Sequence, residues 1–204
     1  MAPLSSDEEL LRLMLGGDAR AFEALYDRRQ GGIYRYALRM TGSKTIAEDV
    51  TQEVFLSLIR DRADYQPARG TVQSYLYGMA RHRILRLLDR ERALVSFENG
   101  KERTGKTVDQ NIRSNHNPLV ELARDEAVDL VRQAVLSLPS HFREVVVLCH
   151  FQEMNYADAA EIVGCPIGTV RSRLSRAREL LAGKLEALKT SGAGIRKIGV
   201  ESAI

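Results

Sequence analysis

The stretch GCPIGTVRSRLSRARELL, residues 164–181, carries Arg171, Arg173, Arg176 and Arg178 against a single acid, Glu179. A guanidinium is a planar fork of donors, matched to phosphate oxygens and to the edge of guanine. On a helix turning about 100° per residue, Ile167, Val170, Leu174, Ala177 and Leu181 share one arc, the expected core face. The opposite arc carries Thr169, Ser172, Ser175 and Arg176, flanked by Arg171 and Arg173. Small polar residues at its centre permit close approach to a groove, and arginines at its margins reach phosphates or base edges. Arg178 lies nearer the apolar arc and the helix end, a place for packing or for the helix dipole. A basic amphipathic helix can also simply face water. What precedes this one favours DNA. Asn155 and Asp158 read as a cap, Ala159, Ala160, Ile162 and Val163 as a short helix, and Gly164 as its left-handed end. Pro166 then suits the first turn of the next helix, which completes a helix-turn-helix plan.

A second group of side chains lies in TIAEDVTQEVFLSLIR, residues 45–60. Ile46, Val50, Val54, Phe55 and Leu58 form its buried arc, and Asp49, Gln52, Glu53 and Leu56 its outer arc. An outward Leu ringed by carboxylates and an amide suits a contact for a basic partner helix, and is equally compatible with a solvated face holding one stray Leu. A third group follows in DYQPARGTVQSYLYGMARHRILRLLDRER, residues 64–92. Val72, Leu76, Met79, Ala80, Ile84 and Leu87 recur at helical spacing, while Arg81, His82 and Arg86 lie off that arc and can face a nucleic-acid backbone. Arg83 falls within the arc and reads as partly structural. Tyr75 and Tyr77 are available for base stacking or for burial.

Other chemistry finds no support. His82, His116, His141 and His150 are scattered and lack metal-ligand spacing. Cys149 sits in an apolar stretch and reads as buried; Cys165 sits in the turn; the two make no disulfide framework. There is no phosphate-binding glycine loop, nucleophile elbow or carboxylate pair in a convincing context. We therefore expect no enzyme, no cofactor and no metal. The N-terminal MAPLSSDEELLRLML lacks a basic region before its apolar residues and reads as a helix start, and no run approaches the ~20 apolar residues of a membrane span. A cytoplasmic protein without membrane insertion is expected.

The elements that must hold these groups are helices. Across 204 residues, aromatics are 6% and Trp is absent, so the cores must be aliphatic. The net charge of +3 is too small to imply a nucleic-acid partner without the local clusters above. The fold class expected is all-α, with two small helical domains over residues 1–92 and 119–190. A polar stretch rich in Gly, Asn and Ser, residues 93–118, reads as a flexible linker. Residues 191–204 read as a loose tail.

NYADAAEIVGCPIGTVRSRLSRAREL resembles the fourth conserved region of bacterial sigma factors of the extracytoplasmic-function type. LSLPSHFREVVVLCHFQE looks like the helices before it, and AEDVTQEVFL resembles the family's second region. The matches cover roughly residues 18–92 and 130–186, in the family's order. The resemblance implies that Pro166, Thr169, Arg171, Ser172, Arg173, Ser175 and Arg176 face the promoter −35 element. It implies that Tyr75, Arg81, His82 and Arg86 face the −10 element, with the loop 64–70 shaping a pocket for an extruded base. It further implies that Asp49, Gln52, Glu53 and Leu56 bind core RNA polymerase, on the clamp helices of its largest subunit. An anti-sigma factor is the regulatory partner it implies, with stress or another signal as the trigger. The sequence departs from the family pattern at Ala159, Cys165, Tyr75 and His82. A ligand-sensing repressor would instead bind an operator without polymerase.

Overall fold

The computed structural model describes the backbone of residues 6–60, 65–97 and 118–201. Among them, regular structure is helical throughout. Helix α1, Asp7–Leu15, starts where the Ser6 hydroxyl accepts from the Glu9 N–H at 3.2 Å. Its buried Asp7 accepts from Arg28 at 2.8 Å and from Arg29, which ties α1 to the next helix. Helix α2, Ala19–Thr41, is capped by Asp18 and ends at Gly42 in the left-handed conformation, φ 73°. Helix α3 spans Lys44–Arg60, and α4 spans Val72–Phe97 after a short 3-10 turn, Pro67–Arg69. The second bundle comprises α5, Pro118–Leu136, and α6, Ser140–Val146, which widens into a π turn at Val147–Phe151. It closes with α7, Tyr156–Val163, and α8, Ile167–Glu201.

Two boundaries, the ends of α4 and α8, differ from the sequence reading. Helix α2 also runs unbroken through Gly31 and Gly32. A Cβ at Gly32 would stand 2.7 Å from the Tyr77 hydroxyl, so this glycine serves close helix packing. α4 runs on to Phe97, into the stretch assigned to the linker, since nothing in ALVSF stops a helix; residues 98–117 lie outside the described residues. α8 continues to Glu201 where a loose tail was expected after 190, because glycine without proline weakens a helix but need not end it. Residues 202–204 are outside the described set.

α1 to α4 enclose Leu11, Leu25, Ile33, Met40, Leu58, Leu76 and Ile84, all buried. α5 to α8 enclose Leu138, Val145, Leu148, Ile162, Val170 and Leu174. The two bundles are packed together, and their buried residues form one continuous cluster. α2 and α4 of the first bundle meet α5, α6, the π turn and α7 of the second.

Candidate nucleic-acid and polymerase interfaces

The helix-turn-helix is built as its sequence dictates. Asn155 Oδ1 accepts from the Asp158 N–H at 2.9 Å and starts α7. Gly164, φ 69°, ends it, and the Gly164 and Cys165 N–H groups donate back to the Ala160 carbonyl. The Thr169 N–H donates to the Pro166 carbonyl at 2.8 Å and opens α8. Val170, Leu174 and Ala177 are buried, as expected, and Leu181 is partly so. Ile167 departs from the expected core arc: it is 41% exposed, whereas Val170 in the same first turn of α8 is buried. Pro166, Arg171, Ser172, Ser175 and Arg176 are exposed, with Thr169 and Arg173 half-buried at the margins. The structure thus brings these seven residues onto one surface. The Arg171 guanidinium lies over the Tyr156 ring, 5.9 Å from its centroid, so Tyr156 belongs to the same surface. Arg178 points elsewhere: its Nη2 is 3.3 Å from His150 Nε2.

The outer face of α3 presents Asp49, Gln52 and Leu56 to solvent, with Leu56 44% exposed. Glu53 is half-buried and bonds Arg83 at 3.0 Å and Arg60 at 3.3 Å. Arg83 also donates to Ser57 at 2.6 Å, so it is a strut between α4 and α3. Sequence reasoning missed Ile59, which is 50% exposed beside Leu56 and lines a hollow with Met14, Leu15, Gly16 and Gly17. Its i+3 spacing from Leu56 was the available signal.

The α4 group is divided. His82 and Arg86 are exposed on one side of the helix. Tyr75 is half-buried, and its ring lies 5.7 Å from that of Tyr65, whose hydroxyl donates to the Gly70 carbonyl at 3.0 Å. Tyr77 is buried instead of being available for stacking, and its hydroxyl donates to Gln152 at 2.9 Å. Burial pushes the Tyr77 phenol up to about 12. Arg81 faces the second bundle, where it forms an ion pair with Glu144 of α6. Burial raises the Glu144 carboxyl above its ordinary range, opposed by the hydrogen bond and charge of Arg81. Only 2% of Glu144 is exposed, so removing Arg81 would strand a charge at a cost of about 3–5 kcal/mol.

More contacts cross this seam. Arg143 of α6 donates to the Met40 carbonyl at the end of α2, and Arg39 of α2 lies 4.7 Å above the Phe151 ring. A Cβ at Gly70 would overlap the Glu161 carboxylate of α7, so the loop and α7 are in direct apposition. The seam is imperfectly satisfied: Tyr36 Oη, Arg39 Nη1 and Gln152 Nε2 are buried without a hydrogen-bond partner. Each such atom costs about 1–3 kcal/mol.

Among the described residues no group of three or more His, Cys, Asp or Glu is placed to hold a metal ion. No described helix is long and apolar enough to cross a membrane. Cys149 and Cys165 are free and half-buried, and burial raises the Cys149 thiol.

An arginine-bearing helix-turn-helix packed against a second helical bundle has the architecture of a DNA-binding protein. Sequence comparison then names the class. Residues 25–94 match the model for Sigma-70 region 2, and residues 129–181 match that for Sigma-70 region 4. The chain is 30% identical to the ECF RNA polymerase sigma factor SigK of Mycolicibacterium vanbaalenii over 171 residues, 82% of this chain and 83% of that one. It is 29% identical over 193 residues to the RNA polymerase sigma-H factor of Pseudomonas aeruginosa, covering 92% of this chain and 98% of that one. The chain belongs to the extracytoplasmic-function sigma factors, the initiation factors that direct RNA polymerase to promoters. Two solved structures share its fold. One is CnrH in complex with the cytosolic domain of CnrY, with TM-score 0.63, 24% identity, and 90% of this chain and 99% of that one covered. The other is the sigma factor RpoE with the anti-sigma factor NepR from Bartonella quintana, with TM-score 0.60, 20% identity, and 77% and 91% covered.

Proposed function

We propose that the exposed face of α8, Pro166, Thr169, Arg171, Ser172, Arg173, Ser175 and Arg176, reads the −35 element of a promoter. The observation that carries this reading is the solvent-facing arc of arginine and serine directly after the left-handed turn at Gly164. Arg176 at its centre donates to a guanine edge, while Arg171 and Arg173 clamp phosphates on either side. Residues 1–92 form the second functional unit. There Tyr75, Arg81, His82 and Arg86, with the loop ahead of α4, bind the −10 element and hold the melted strand. Aromatic faces take unpaired bases and arginines take the backbone. Asp49, Gln52, Glu53 and Leu56, extended by Ile59, dock on the clamp helices of the polymerase's largest subunit. An apolar centre with an acidic rim supplies affinity and orientation together. The segment between the bundles sets the distance between the two readers.

The chain works in the cytoplasm, where polymerase and promoters are, and performs no chemistry of its own. An anti-sigma factor holds it until a stress or other signal arrives. This is supported by one structural neighbour, the sigma factor RpoE bound to the anti-sigma factor NepR. Run-off transcription with purified core polymerase and a promoter library tests the reading. A defined subset of promoters should start transcripts only when the chain is added. Core binding without a start at any promoter would refute it.

A further inference from the structure

Arg35 and Arg39 stand one turn apart on the same face of α2, the first exposed and the second half-buried. Among the described residues no carboxylate lies within ion-pair distance of either. Their cationic neighbours are already served. Arg29 is held by Asp7 and donates to Gln73 at 2.8 Å, and Arg132 of α5 donates to Asp129 at 2.7 Å. Arg39 thus sits among like charges. Burial first, and then the charge of Arg35, lower its pKa; Tyr77 opposes the effect and Arg132 adds to it. The Tyr77 phenol, pushed up to about 12 by burial, is neutral at physiological pH and supplies no counter-charge.

The Arg39 guanidinium lies 4.7 Å above the Phe151 ring, and its Nη1 is buried without a hydrogen-bond partner. The next residue, Gln152, accepts from the Tyr77 hydroxyl through Oε1 at 2.9 Å, which leaves its Nε2 buried and also without a partner. The α2 surface beside these groups is bare. Gly31 and Gly32 are consecutive there, and Arg35 Nη1 stands 3.1 Å from where a Cβ on Gly31 would be. Two guanidinia and an amide N–H therefore converge with donors alone, and buried donors without acceptors are costly. We propose that Arg35, Arg39 and Gln152 form an anion site that takes a phosphoryl group, as free phosphate or as the phosphate of a nucleotide. None of the three is assigned to DNA or to polymerase, so the site is separate from the function proposed above. A carboxylate offers two oxygens in one plane. A phosphoryl group offers at least three acceptors in different directions and about −1.5 to −2 charge at pH 7, which suits donors arriving from both α2 and the π turn. Arg35 is exposed, so the anion reaches the site from solvent on that side.

The test is titration of the full chain, in chloride buffer at fixed ionic strength, with inorganic phosphate and in a parallel arm with ADP. Calorimetry reads affinity and thermal unfolding reads the midpoint. Phosphate should bind saturably and raise the midpoint beyond what sodium chloride of equal ionic strength does. Arg35→Gln, at an exposed residue where folding is not at stake, and Arg39→Gln should each weaken binding by about tenfold, the order of one charge-assisted hydrogen bond. Gln152→Glu keeps an acceptor for Tyr77 and puts a carboxylate where the orphaned amide stands. It should hold or raise the midpoint in chloride and abolish the response to phosphate. Equal affinity for phosphate and ADP assigns the site to the phosphoryl group alone, and tighter ADP binding assigns it to a nucleotide; either supports the proposal. A midpoint that follows ionic strength only, unchanged affinity in Arg35→Gln and Arg39→Gln, or an undiminished phosphate response in Gln152→Glu would mean an adventitious ion only and overturn it.

Discussion

α8 and α4 are both arginine-bearing helices with aliphatic inner faces, yet α8 turns Arg171 and Arg176 to solvent while α4 turns Arg81 into Glu144. The difference does not lie in composition. It lies in which flank each helix offers to the seam between the bundles. α8 buries Val170, Leu174 and Ala177 within its own bundle and keeps its polar arc outside. α4 is a central helix, packed against α2 and α3 on one side and against α7 on another, so part of its polar arc is also covered. A reader built from a turn and one helix can be complete by itself. A reader built on a central helix depends on what its neighbours do.

The largest expected effect asks whether the two halves are one body. Leu174→Ala and Leu76→Ala each empty a fully buried site, and each should cost about 2–5 kcal/mol. If the continuous core couples the bundles, both variants lower the same thermal transition; two separate transitions, each moved by one variant, would show that the bundles unfold apart. Next, Leu56→Arg should weaken binding to core polymerase by about 2 kcal/mol or more, roughly 30-fold. A titration of labelled core measures it, while duplex DNA binding through α8 stays unchanged. Arg176→Ala should then reduce −35-dependent transcription by an amount equivalent to about 1–3 kcal/mol. The smallest effect is assigned to Arg86→Ala, which removes one phosphate contact. It should weaken DNA binding evenly across sequences and lower the salt dependence by about one ion. A change in base preference there would erase the contrast between an edge-reading and a backbone-holding arginine.

Much of this was legible in the sequence because it is local. The caps at Ser6, Asn155 and Gly164, the inner arc of α8 and the outer arc of α3 all follow from spacings of three and four residues. Ile167 was misread because a wheel gives only direction: it shares an arc with buried Val170, yet no neighbouring element covers it. Nor does local pattern show why Gly32 is glycine: it accommodates a hydroxyl from α4, 45 residues further on. The Arg81–Glu144 pair spans 63 residues, and the Glu161–Gly70 apposition also joins different bundles. Periodicity carries no information about such pairs, and a buried Glu in FREVVV gives no local sign of its partner. The exposed Ile59 was within reach, since it repeats Leu56 one turn later.

The central claim is that one chain carries two separate promoter readers. Transcription from a promoter pool randomised independently at the −35 and −10 elements, with transcripts sequenced, addresses it most directly. The wild-type chain should enrich defined bases at both elements. Arg176→Ala should relax enrichment at the −35 element alone, while Arg86→Ala should lower yield without relaxing either. Loss of enrichment at both elements in Arg176→Ala, or at neither, would contradict the account.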